Sequence, residues 1–385
     1  MEGILALEDG RVFRGRSFGA PAEKTGEVVF NTSMTGYQEI LSDPSYRGQI
    51  LVMTCPEIGN CGTNALDHES LSPQVEALIV REACRFPSNW RATQNLQDHL
   101  REHKLPGLEE VDTRALTRHI RTRGALKGIV STQDRNPESL VRKARAAPGL
   151  EAQDLVARVT CRSPYSWQSP RAERWAAETG AAAPRERAHC VAYDFGTKHN
   201  ILRILWECGF DVTVVPATTS ARDTLALRPN AVFLSNGPGD PAVATYAVEA
   251  VRGLLGKVPI FGICLGHQIA ALALGATTFK LKFGHRGGNH PVMDLRTRKV
   301  DVTSQNHGYA VDPDTLPHGV EVTHLNLNDG TCEGFLAPDL WLAAVQYHPE
   351  SSPGPHDSLR LFHEFRHLAA SVLPDLPTRT DEGRP

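Results

Sequence analysis

At 385 residues the chain is long enough for two domains, each with a full apolar core. Hydrophobic residues make up 41% and charged residues 22%, and no run of about 18 apolar residues offers a membrane span. A formal net charge of −3 and a pI near 6.6 give no electrostatic footprint for nucleic acid.

Residues 4–18 read as two strands joined at Asp9-Gly10, a hairpin signal. Residues 26–32, 49–54 and 78–80 add strand-like runs, and residues 34–46 between them are rich in turn formers. Residues 93–103 and 113–122 read as helices, the second with Asp112 as N-cap. This pattern predicts a mixed α+β domain over residues 1–155, with no catalytic constellation of its own. Residues 156–188 lose apolar periodicity and gather prolines, and are expected to be a linker.

From His189 the pattern changes to strands at 191–195, 212–216 and 231–235, alternating with helices at 198–208 and about 242–255. Such alternation predicts an α/β domain over 189–373, with a mostly parallel sheet flanked by helices. Shorter strands follow at 300–304, 320–325 and 342–346, then an amphipathic helix over 357–372. Residues 374–385 are expected to be a disordered tail. The chain opens Met1-Glu2-Gly3-Ile4 straight into strand-like sequence, so no signal peptide is expected. The eight cysteines (55, 61, 84, 161, 190, 208, 264 and 332) contain no C-x-x-C pair, and a reducing cytoplasm is the expected compartment.

The chemistry centres on Cys264. Residues 258–263 (Val-Pro-Ile-Phe-Gly-Ile) have the length of a buried strand, and residues 265–274 read as a helix stopped by Gly275. Cys264 thus stands on a sharp strand-to-helix turn between Gly262 and Gly266. That is the thiol form of a nucleophile elbow, with the sulfur at the positive end of a helix. A cysteine nucleophile needs a base and a group to orient it. Val345-Gln346-Tyr347-His348-Pro349-Glu350 supplies both, since residues two apart in an extended chain project to one side. Leu265 follows the nucleophile and offers one oxyanion N–H. Residues 236–241 (Asn-Gly-Pro-Gly-Asp-Pro) follow a strand at the ligand-binding edge of the sheet.

These three segments, in this order, resemble a class I (triad) glutamine amidotransferase domain. Residues 26–46, 58–64, 112–118, 283–292 and 304–309 further resemble the small subunit of carbamoyl-phosphate synthase. The resemblance implies Cys264 as nucleophile of a γ-glutamyl thioester, His348 as base, Glu350 as its partner, and Gly239 and Leu265 as oxyanion donors. It implies that Ser45, Gly237, Gln268, Asn306, Gly308 and Tyr309 hold L-glutamine, Ser45 reaching in from the N-terminal domain. It also implies a large synthetase subunit as heterodimer partner, which takes the ammonia through a tunnel and makes carbamoyl phosphate for the arginine and pyrimidine pathways. ATP and Mg2+ would belong to that partner. No cofactor or metal is expected in this chain, which has no G-x-x-x-x-G-K-[ST] loop.

Two other readings keep the same residues: the glutaminase of a different synthase, and a non-catalytic glutamine-sensing subunit. His363-Glu364-Phe365-Arg366-His367 satisfies H-E-x-x-H, but no third ligand follows it. His285 and His290 lack ligand spacing, and residues 283–292 read as a glycine-rich hairpin.

Overall fold

The computed structural model describes residues 1–168 and 187–372. Residues 169–186 of the expected linker and the expected tail, 374–385, lie outside the described residues.

The N-terminal half is a closed barrel. Its strands are β1 (Glu2–Leu7), β2 (Val12–Ser17), β3 (Glu23–Asn31), β4 (Gln49–Met53), β6 (Ala77–Ile79), β8 (Gly107–Glu109) and β9 (Leu126–Ser131), ordered β1-β2-β8-β6-β4-β3-β9. A separate two-stranded pair is formed by β5 (Glu57–Ile58) and β7 (Glu82–Ala83). The expected hairpin at Asp9-Gly10 is present, with Gly10 at φ 99. The helix over Thr113–Arg123 begins at Asp112, whose carboxylate accepts from the Ala115 N–H (2.9 Å). The helix expected over 93–103 is shorter, Leu96–Glu102, because the Asn95 side chain accepts from the Asp98 N–H and starts the helix there.

The C-terminal half is a ten-stranded sheet: β10 (Tyr165–Ser166), β11 (Ala188–Asp194), β12 (Phe210–Pro216), β13 (Ala231–Leu234), β14 (Ile260–Ile263), β15 (Thr278–Asp294), β16 (Val300–Val311), β17 (Glu321–Asn326), β18 (Cys332–Ala337) and β19 (Leu342–Val345). The run β12-β11-β13-β14-β19 is parallel, and β18, β17, β15 and β16 extend it antiparallel. Alternate side chains of the parallel strands enter different cores. Val191 and Tyr193 join one apolar cluster, while Cys190 and Ala192 join the other.

One expectation is corrected. Within the stretch expected to link the domains, residues 156–159 form a helical turn and β10 pairs antiparallel with β12 at the sheet edge. Ladder bonds held that stretch although its sequence lacked periodicity. Residues 283–292, His285 and His290 included, lie in β15, the first arm of the β15–β16 hairpin, as the glycine-rich sequence led one to expect. Gly284 (φ 71) and Gly287 (φ 153) absorb register shifts against β16 there, which is why the run looked like turn sequence.

Candidate active site

Cys264 ends β14 and precedes the helix Leu265–Leu274, with φ 55 and ψ −104. A non-glycine residue held there is strained, and the surroundings must over-determine it. They do: the Cys264 N–H donates to Val345 O (2.9 Å), and the Gly266 N–H donates to Ser235 O (3.0 Å). A Cβ on Gly266 would lie 2.2 Å from the Leu234 carbonyl oxygen, so the helix packs against β13 only because that position is glycine. Leu265 turns its side chain into the apolar core, and as the first helical residue its N–H has no intrahelical partner.

His348, Glu350 and Lys198 form a buried chain. The imidazole Nδ1 donates to Glu350 Oε1 (2.6 Å), and the Lys198 ammonium donates to the same oxygen (2.8 Å). Nδ1 facing a carboxylate must carry the hydrogen, which leaves Nε2 for other work. That Nε2 is buried and has no geometrically sound hydrogen bond among the described residues, although the ring interacts with Cys264. The thiol itself is within donating distance of Asn306 O (3.6 Å). Burial alone would disfavour the imidazolium, but Glu350 and then Cys264 outweigh it and hold His348 up at about 10. Burial likewise opposes the Glu350 carboxylate, but Lys198 and His348 outweigh it and hold that group down at about 2. A proton leaving the thiol therefore finds a ring ready to keep it.

A cleft beside Cys264 is lined by Ser45, Gly237, Gly239, Gln268, Asn306, Gly308 and Tyr309 among others. Of the residues expected to hold glutamine or the oxyanion, only Leu265 is absent from that lining, since its side chain points away. Gly237 and Gly239 (φ 89) let the backbone turn close to this space, and a Cβ on Gly237 would lie 2.2 Å from Phe195 O. The Gln268 amide donates to Tyr309 O (2.8 Å) and Gln346 Oε1 (3.0 Å), which orients it.

The barrel reaches this cleft through a short 3-10 turn, Pro44–Tyr46. Ser45 Oγ accepts from the Asn236 amide (2.9 Å), and Asp43 Oδ2 accepts from the Asn306 amide (2.8 Å). Asp43 also accepts from the Ser45 N–H (2.9 Å), so one carboxylate braces the turn against both sheet loops. A second brace is Glu69, buried in a barrel loop, whose carboxylate accepts from the Asn200 N–H (2.9 Å); the Asn200 amide in turn donates to Glu350 O (2.6 Å).

Sequence reading missed Asp43, Lys198 and Asn236 as site residues. Lys198 stands two residues before Asn200 at a strand-to-helix junction, and nothing local marks it as the counter-charge of Glu350, 152 residues on. His363, Glu364 and His367 lie on the exposed side of the helix Arg360–Val372, whose Leu361, Phe362, Phe365 and Ala369 are buried.

A thiol on a strand-to-helix elbow, an imidazole held by a buried carboxylate and a polar cleft between them define a thiol amidotransferase arrangement. Residues 191–368 match the family model for class I glutamine amidotransferases. Residues 5–130 match the model for the carbamoyl-phosphate synthase small chain, CPSase domain. The chain is 57% identical over 371 residues to the carbamoyl phosphate synthase small chain of Syntrophotalea carbinolica, covering 96% of this chain and 98% of that one. It is 53% identical over 375 residues to the small chain of Nitratidesulfovibrio vulgaris strain Miyazaki F (97% and 100% covered). It is 52% identical over 362 residues to the chloroplastic small chain of Oryza sativa subsp. japonica (94% and 80% covered). The chain belongs to the carbamoyl-phosphate synthase small-chain family. No helix among the described residues is long and apolar enough to cross a membrane.

Proposed function

We propose that this chain hydrolyses L-glutamine to glutamate and ammonia through a thioester on Cys264, and that it delivers the ammonia to a large synthetase subunit. Cys264 Sγ, its proton already passed to His348 Nε2, attacks the side-chain amide carbon. The oxyanion is met by the N–H groups of Gly239 and Leu265. As the tetrahedral species collapses, His348 returns the proton to the departing nitrogen and ammonia leaves. Water then attacks the thioester carbonyl, His348 accepting its proton, and glutamate is released with the thiol restored. Glu350 keeps the imidazole in the working tautomer, and Lys198 keeps Glu350 ionised. Ser45, Gly237, Gln268, Asn306, Gly308 and Tyr309 hold the substrate.

The observation that carries this reading is the pairing of a strained Cys264 (φ 55) with a fully buried His348–Glu350–Lys198 chain beside a polar cleft. Family membership supports the further step, in which a large subunit uses the ammonia with bicarbonate and ATP to make carbamoyl phosphate for arginine and pyrimidine synthesis. ATP and Mg2+ act on that subunit. All eight cysteines are free thiols, which suits a reducing compartment such as the cytoplasm.

The test is glutamate release by the purified chain, alone and then with a carbamoyl-phosphate synthase large subunit, ATP and bicarbonate. We expect slow hydrolysis that rises sharply with the partner. Hydrolysis indifferent to the partner would discard the coupled role and keep the thiol chemistry. No hydrolysis in either condition would leave a glutamine-sensing subunit.

A further inference from the structure

A second buried cluster adjoins the cleft, and one of its members, His307, also lines it. Among the described residues, His285, His307 and Glu333 are the group of side chains whose donor atoms converge as metal ligands do, all within 4.8 Å of one another. They come from β15, β16 and β18, so sequence spacing gave no hint of them. All three are buried: His285 is 7% exposed, His307 4% and Glu333 0%.

The outer bonds of these side chains decide which atoms face inward. His285 Nε2 donates to the Asp329 carboxylate (2.8 Å), and His307 Nδ1 donates to Tyr309 O (2.7 Å). Each ring therefore turns its other nitrogen inward. Those nitrogens, His285 Nδ1 and His307 Nε2, have no hydrogen-bond partner among the described residues. His285 Nδ1 lies 3.7 Å from Glu333 Oε1, too far for a hydrogen bond. The two Glu333 oxygens accept from neutral amides, Asn326 Nδ2 (2.8 Å) and Gln305 Nε2 (3.0 Å), and the carboxylate, working against burial, raises the proton affinity of His285 beside it. The inward nitrogens of His285 and His307 and the Glu333 carboxylate thus face one another across a gap too wide for a sound hydrogen bond. Burial opposes a charge on His285, but Glu333 and Asp329 on either side of it favour a proton on that ring, which a metal would displace. Metal-binding histidines commonly give their second N–H to a carboxylate or backbone carbonyl in this way.

We propose that His285, His307 and Glu333 bind a divalent transition-metal cation, zinc being the best match, which ties β15, β16 and β18 together beside the glutamine cleft. Two imidazoles and one carboxylate are a borderline-soft donor set suited to zinc. Zinc holds nitrogen and oxygen at about 2.0–2.1 Å, so its ligands stand roughly 3.3 Å apart in a tetrahedron. The cluster closes on it by a contraction of up to about 1.5 Å, and a water or His290, whose Nδ1 is also without a partner among the described residues, completes the set. His307 sits between Asn306 and Gly308, both of which line the cleft, so the cation would hold that edge of β16 still.

The test uses the full chain with Cys264→Ala, so that the active-site thiol cannot capture metal. The protein is stripped with chelator, dialysed against zinc sulfate, washed and assayed for metal, beside the same protein carrying Glu333→Gln. We expect close to one zinc per chain in the parent and at least a tenfold loss of affinity in the Gln variant. Equal zinc in both, or none in the parent, overturns the site. Should Glu333→Gln not fold, the visible spectrum of the cobalt-loaded parent decides. Ligand-field bands of a tetrahedral nitrogen–oxygen set support the site; thiolate charge-transfer bands or no bands overturn it.

Discussion

Glu333 and Glu350 are both fully buried in the same sheet domain, yet they meet burial differently. Glu350 receives an ammonium and an imidazole on one oxygen, and its cation, Lys198, is part of the chain. Glu333 receives two neutral amides and faces the rings of His285 and His307, the first of which it shares with Asp329. Stranding an ion in a protein interior costs several kcal/mol, so a buried carboxylate requires compensation. In the first cluster the compensation is built in and leaves His348 free to exchange protons with Cys264. In the second the protein supplies only a proton on His285, which a cation from solution would replace. A site that moves protons and a site that takes a metal can thus be made from the same residue types.

The catalytic end of this contrast breaks most visibly. Cys264→Ala should abolish glutamate release, a fall on the order of 10³-fold or more in kcat, with glutamine still bound by calorimetry. Measurable thioester-dependent turnover in that variant would remove Cys264 from the mechanism.

Taking the built-in cation away makes Glu350 resemble Glu333. Lys198→Met should cost about 3 kcal/mol in denaturant unfolding, because it removes one of the two buried cationic partners of Glu350 and leaves His348 alone. A loss near zero would mean that Lys198 contributes nothing to holding Glu350.

The third prediction concerns pH. His348 is held above its ordinary value, at about 10, so its contribution is complete below about pH 6.5 and is lost as pH rises through about 10. Glu350 is held down at about 2, so its contribution is present above about pH 4.5 and is lost as pH falls through about 2. The stability gap between the wild-type chain and Glu350→Gln should therefore be widest at about pH 4.5–6.5 and shrink toward pH 10. A gap that is flat over this range contradicts the His348–Glu350 coupling.

The smallest effect belongs to the contact between domains. Ser45→Ala removes one hydrogen bond to Asn236, worth about 1 kcal/mol, and should raise KM for glutamine roughly fivefold with little change in kcat. A fall in kcat at constant KM would give Ser45 a part in the chemical step instead.

The parallel strands and the elbow were legible because each is a local pattern. Apolar runs of strand length, helix stops and glycines two residues either side of Cys264 all lie within one short window. His348 and Glu350 were legible for the same reason, being two residues apart. The barrel closure was not, since it depends on β1 pairing with β9 across more than a hundred residues of chain. The length of β15 was hidden by glycines that serve a strand with register shifts as well as they serve a turn.

Local arrangement, then, is what the sequence by itself determined: the cysteine on its elbow, the His348–Glu350 pair two residues apart, and the alternation that builds a parallel sheet beneath them. Those depend on neighbours in the chain. Tertiary structure alone decided which charges face each other. Lys198 meets Glu350, Asp43 and Ser45 cross from the barrel to Asn306 and Asn236, and His285 meets His307 and Glu333. The physical reason is that burial makes electrostatics strong only between groups brought within a few ångströms. Which groups those are is set by the register and packing of strands far apart in sequence.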